Sequence, residues 1–161
     1  MTKAIRVHET GGPDVLTLED VDIGEPGSGE VRLRHTAIGL NYIDVYCRSG
    51  AYPAQLPFTP GFEAAGIVEA VGDGVTGLAT GDRVAYAAQP IGAYTESRLI
   101  LAERIVKLPD AIEDRIGAAI MLKGMTTEYL LRRTFRINAG DTILFHAAAG
   151  GVGPLASHEP N

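Results

Sequence analysis

The sequence predicts a mostly β protein with some α. A β-rich block runs to about residue 109, two helices follow, and the chain then opens a strand-and-turn unit of the α/β kind. Three observations point there. Apolar and polar residues alternate through much of the first hundred positions, the period of half-buried strands. The 20 glycines supply the many tight turns that such strands need. After Pro109 the periodicity becomes helical, and a glycine-rich turn follows a short apolar run near the end.

Lys3 to His8 and Val15 to Val21 read as strands around a turn at Glu9 to Asp14. Val31, Leu33 and His35 alternate with Arg32, Arg34 and Thr36 in a strand that reaches about Leu40. Asn41 to Gly50 predicts a short helix, with Asn41 as N-cap, Asp44 in the first turn and Gly50 at the far end. Tyr52 to Pro60 is a proline-marked loop. Gly61 to Val71, Asp82 to Ala87 and Gly92 to Leu101 give three more strands.

Beyond Pro109, Asp110 with Glu113 approximates a capping box for a first helix, with Ile112, Ile116, Ala119 and Ile120 on one face. A second helix runs from Met121 to about Phe135, where Arg132, Arg133 and Arg136 suit the negative end of the dipole. Asp141 to Gly153 then carries the chemistry. Thr142 to His146 reads as a short buried strand. Ala148, Gly150 and Gly153 follow at the spacing of a dinucleotide fingerprint, in which backbone N–H groups approach a pyrophosphate. A side chain at Gly150 would hold a phosphate off, and one at Gly153 would push helix from strand. Taken alone, the motif fits a plain tight turn equally well.

The net charge of −6 argues against a nucleic-acid or anionic-membrane surface. Cys47 is the single cysteine, so neither an intrachain disulfide nor a cysteine metal cage can form. Met1 to Arg6 lacks the apolar run of a signal peptide, and no segment reaches the ~20 apolar residues of a membrane helix. The expectation is a soluble cytoplasmic protein.

Several separate segments resemble one family. Gly39 to Tyr46, Arg48 to Tyr52, Pro60 to Gly66, Gly81 to Val84, Leu122 to Thr127 and Phe145 to Gly153 are similar to the zinc-free, zeta-crystallin-like quinone oxidoreductases of the medium-chain dehydrogenase/reductase superfamily. The resemblance implies a GroES-like β domain, residues 1–122, followed by the start of a dinucleotide-binding Rossmann domain, residues 123–161. It implies reduction of a quinone, or of a small enone or carbonyl, by NADPH, with NADH not excluded. It also implies a possible homodimer.

The resemblance places Asn41 and Tyr46 at the nicotinamide end and the substrate pocket, with Tyr52 lining that pocket. Thr127 becomes a cofactor contact, and Gly150, Gly151, Val152 and Gly153 become the phosphate turn. Each residue also has a structural reading: N-cap for Asn41, packed aromatic for Tyr46, loop anchor for Tyr52, ordinary helix threonine for Thr127. No metal is expected, because Asn41 and Phe62 stand where zinc-dependent relatives carry ligands, and Glu63 reads as a structural carboxylate. After Gly153 the pattern departs from the family, with His158 and Asn161 where a glutamine and a basic residue belong. The expectation is therefore an N-terminal portion of such a reductase, inactive alone. The alternative is a non-catalytic GroES-like module without cofactor binding.

Overall fold

The computed structural model describes residues 1–87 and 89–157. Strands β1 (Thr2–Val7) and β2 (Leu16–Val21) form an antiparallel ribbon. Strands β3 (Glu30–Gly39), β4 (Glu63–Val71), β5 (Arg83–Ala87), β6 (Ser97–Leu101) and β7 (Ile105–Lys107) form an antiparallel sheet in the order β6-β3-β4-β5-β7. Helix α1 (Tyr42–Ser49) links β3 to the β4 arm, α2 (Asp114–Glu128) covers one sheet face, and α3 (Gly153–Ser157) lies against α2.

The alternating residues of β3, β4 and β5 build the main core. Val31, Leu33, Ala64, Val68, Val84 and Tyr86 pack on one face with Ile100 and Ile105. Full burial of Leu33, Val31, Val68 and Val84 contributes roughly 1.5–3 kcal/mol each. The ribbon joins this body through a mutual backbone pair between Val7 and Phe58, and Val7, Cys47, Phe58 and Phe62 make a second cluster under α1.

Helix α2 approaches the sheet through small residues. Gly117 and Ala118 meet Ala65 and Ala85, and a side-chain carbon at Gly117 would stand 3.0 Å from Leu108. This corrects the expected apolar face: Ile116 and Ile120 point outward, because close approach to a strand of alanines favours the small residues. The helix is fastened at its start. Arg83 donates to Asp114 from Nη2 at 2.6 Å and from Nε at 2.9 Å, and Thr36 donates to the other carboxylate oxygen at 2.5 Å.

Other expectations are also corrected. The N-cap is Glu113 rather than Asp110, and one helix replaces the expected two, running on into a π-helical turn at Tyr129–Thr134. The strand expected over Gly92 to Leu101 begins only at Ser97. The backbone from Gly92 to Glu96 bonds instead to the corner at Pro60 and Gly61 and to β1, as in Tyr94 N–H to Pro60 O at 2.9 Å. Thr142 to His146 is neither a strand nor buried. It has no ladder partner among the described residues, and Ile143 and Leu144 are exposed. An apolar strand needs a neighbour for its N–H and C=O groups, and none lies beside this segment. His158 and Asn161 lie outside the described residues. No helix among the described residues is long and apolar enough to cross a membrane.

Candidate functional site

The site begins where β3 ends. Asn41 sits in extended backbone and starts α1, and Asp44 accepts its N–H at 2.9 Å. Asn41 is the N-cap, paired with Asp44 in a capping box, and its side chain also reaches inward. Its Nδ2 donates to Glu63 Oε1 at 2.8 Å, and its Oδ1 accepts from Lys123 Nζ at 2.9 Å. Lys123 also donates to Glu63 Oε1 at 2.7 Å, while the Leu122 N–H donates to Glu63 Oε2 at 2.7 Å. Glu63, at the head of β4, is thus a fully buried carboxylate with both oxygens engaged. An isolated charge at such a depth would be costly; the lysine and two further donors compensate it.

Glycine makes room for this hub. A side-chain carbon at Gly39 would collide with the Ala118 carbonyl and the Glu63 side chain. Beside the hub, Asp44 is buried and accepts a hydrogen bond from Tyr94 OH at 2.9 Å. Burial pushes the Asp44 carboxyl up from its ordinary value, and its Oδ1 has no partner among the described residues.

Tyr46 and Tyr52 form a separate feature. Their rings lie 5.1 Å apart, and Tyr42 packs edge-on against Tyr46 at 5.0 Å. All three rings are partly open to solvent, and the Tyr52 N–H donates to the Tyr46 carbonyl at 3.0 Å. Left-handed Gly50, with φ of 84°, turns the chain so that Tyr52 comes back beside Tyr46.

Thr127 is buried, and its hydroxyl donates to the Lys123 carbonyl at 2.9 Å, one helical turn back. The glycine turn comes next. Gly150 N–H donates to the Ala147 carbonyl at 2.8 Å and Gly153 N–H to the Gly150 carbonyl at 3.2 Å. The N–H groups of Gly151 and Val152 have no partner among the described residues. A side-chain carbon at Gly153 would collide with the Ala148 carbonyl, and one at Gly151 would stand 2.8 Å from Cδ and Cε of Lys123. Gly150, Gly151 and Val152 line a groove of about 490 Å³ with Leu144 and Phe145.

The structure therefore brings Asn41 and Gly151 against one side chain, Lys123, with Asn41 at its Nζ and Gly151 beside its Cδ and Cε. Sequence reasoning missed that lysine. Its signal was visible: it is the only charged residue between Arg115 and Glu128, inside an apolar helical stretch.

This sheet, with a helix laid across it and a buried carboxylate at the head of its middle strand, matches the alcohol dehydrogenase GroES-like domain over residues 27–131. The chain belongs to that family. Its relatives are quinone oxidoreductases of the medium-chain dehydrogenase/reductase superfamily. A quinone oxidoreductase of Pseudomonas aeruginosa is 56% identical over 157 residues, covering 97% of this chain and 48% of the relative. The crystal structure of the Pseudomonas syringae quinone oxidoreductase superposes with a TM-score of 0.94 at 52% identity, over 97% of this chain and 48% of that one. The Escherichia coli quinone oxidoreductase complexed with NADPH gives 0.93 at 46%, over 96% of this chain and 48% of that one. The chain thus spans about half the length of the relatives it matches.

Proposed function

We propose that this chain is the N-terminal portion of an NADPH-dependent quinone reductase, acting on a quinone, enone or similar activated carbonyl. The observation that carries this reading is the placement of the Asn41–Glu63–Lys123 hub against the glycine turn through Lys123. The residues fit a dinucleotide phosphate at one point. Gly151 and Val152 present N–H groups with no partner among the described residues, in a turn where a side chain at Gly153 would collide with the Ala148 carbonyl.

In this reading NADPH, when bound, supplies a hydride. The chain supplies position. The turn from Gly150 to Gly153 holds the pyrophosphate, Thr127 is a further cofactor contact, Asn41 and Tyr46 lie at the nicotinamide end, and the rings of Tyr46 and Tyr52 offer a surface to a flat substrate. This reading involves no metal, and Glu63 has both oxygens committed to protein donors. The division between the two domains, at residues 122 and 123, falls within α2. The whole acts in the cytoplasm, and pairing into a homodimer belongs to the same reading.

The test is a titration of the 161-residue chain with NADPH, followed by nicotinamide fluorescence. Saturable binding in the micromolar range supports the reading. No binding at millimolar NADPH by a folded chain overturns it in favour of a GroES-like module without cofactor.

A second observation bears on turnover. The segment from Thr142 to Phe145, which leads into the turn, pairs with no strand among the described residues. The turn is therefore loosely held, and we infer that these 161 residues alone have little turnover. Steady-state NADPH oxidation with a simple quinone checks this; a rate near that of a full-length relative would refute it.

A further inference from the structure

The buried hub is distinctive in what it leaves over. Both oxygens of Glu63 and the Asn41 Oδ1 are engaged by donors within the protein. Each of these three oxygens has at least one protein donor, while the donors themselves are not all used. An ammonium carries three N–H bonds and a carboxamide two. Lys123 directs two of its three at Glu63 and Asn41, and Asn41 directs one of its two at Glu63. Each keeps one N–H without a partner among the described residues. The Lys123 side chain is 23% exposed, so the residue is not sealed in the core.

The spare N–H of the ammonium seeks a lone pair on a ligand, which a carbonyl oxygen supplies and an ammonium does not. Its location fits the same purpose, since the lysine stem lies against Gly151 of the phosphate turn.

We propose that Lys123 is a further catalytic residue, whose free N–H takes the carbonyl oxygen of the quinone or enone beside the Asn41 carboxamide. This rests on the reductase reading. As hydride adds to the conjugated carbon, the displaced electron pair moves to that oxygen, and NADPH is oxidised to NADP. The oxygen gains negative charge within hydrogen-bond distance of a fixed ammonium, the arrangement that favours the transition state over the ground state. The proton that completes the reduction comes from solvent, and Lys123 keeps its ion pair with Glu63.

The test uses the 161-residue chain, ¹⁵N-labelled, titrated with cyclohex-2-enone while the Lys123 ammonium and Asn41 side-chain amide resonances are followed. Both signals are expected to shift saturably. K123M should weaken enone binding about tenfold or more, the loss of one charged hydrogen bond, while K123R retains most of it. If K123M fails to fold, E63Q/K123M removes both buried charges together and reads the same loss. Unchanged affinity in K123M or in E63Q/K123M, or an enone that shifts neither resonance, overturns the proposal. A chain that takes the enone through Lys123 yet binds no NADPH upholds Lys123 as the carbonyl-binding residue and overturns the reductase reading. A chain that binds NADPH and takes the enone independently of Lys123 does the reverse.

Discussion

Lys123 Nζ lies 2.7 Å from Glu63 Oε1 across 60 residues of sequence, and the carboxylate end of that pair is fully buried. Removing one partner leaves the other charge without compensation. K123M or E63A alone is expected to cost about 3–5 kcal/mol, and E63Q/K123M markedly less than the sum of the two single changes. Urea unfolding of the singles and the double closes the cycle. Additive losses would mean that the pair is not coupled.

His35 sets an acid limit on stability. Its Nδ1 faces the Thr95 carbonyl at 2.7 Å, which can only accept, so Nδ1 carries the proton. Its Nε2 then accepts from Tyr86 OH at 3.0 Å, and Arg98, the charged group facing this pair, donates to the same hydroxyl. Burial lowers the His35 pKa to about 4, with Arg98 adding repulsion. The unfolded chain binds this proton near pH 6.5 and the folded chain only near 4, so stability falls as pH drops between them. The expected loss from this group is about 3 kcal/mol. Urea midpoints measured across that range should fall in the native chain and stay flatter in H35Q.

Gly39 is expected to tolerate no side chain. In G39A the new methyl meets the Ala118 carbonyl and the Glu63 stem, both fixed by their neighbours. Overpacking of this kind costs about 1–3 kcal/mol. The same change should displace Glu63 and alter the Asn41 side-chain amide resonance. A native melting temperature in G39A would contradict the rigidity assigned to this corner.

The tyrosine pair should separate binding from stability. Tyr46 and Tyr52 are partly exposed, so Y46A is expected to lose no more than about 1.5 kcal/mol of stability, the value of one aromatic contact. Under the proposed function it should weaken binding of a quinone about tenfold, with Y46F close to native. Parallel unfolding and quinone titration of the two variants check this. Equal binding in Y46A would remove Tyr46 from the site.

Much of the sheet was legible because its signals are local. Alternation marked β3, β4 and β5, and Asn41 with Gly50 marked the ends of α1. β7 escaped because three residues carry no period. The outward turn of Ile116 and Ile120 escaped because it depends on what α2 packs against, alanines on β4 and β5. Asn41 reads as an N-cap and is one, but its side chain also binds Glu63 and Lys123, which stand 22 and 82 residues along the chain. Residue types alone cannot show such a partnership. Thr142 to Phe145 has strand-like composition, but composition does not supply the neighbouring strand that makes a ladder.

The order β6-β3-β4-β5-β7 puts β4 in the middle of the sheet, paired on both sides along its first half. Amide protons there exchange with solvent only when the whole sheet opens, whereas β2, bonded to β1 alone, can fray first. Glu63 opens that slowest segment. The polar centre is therefore mounted on the part of the molecule that fluctuates least, and the loosely held turn at Gly151 moves against a stationary reference.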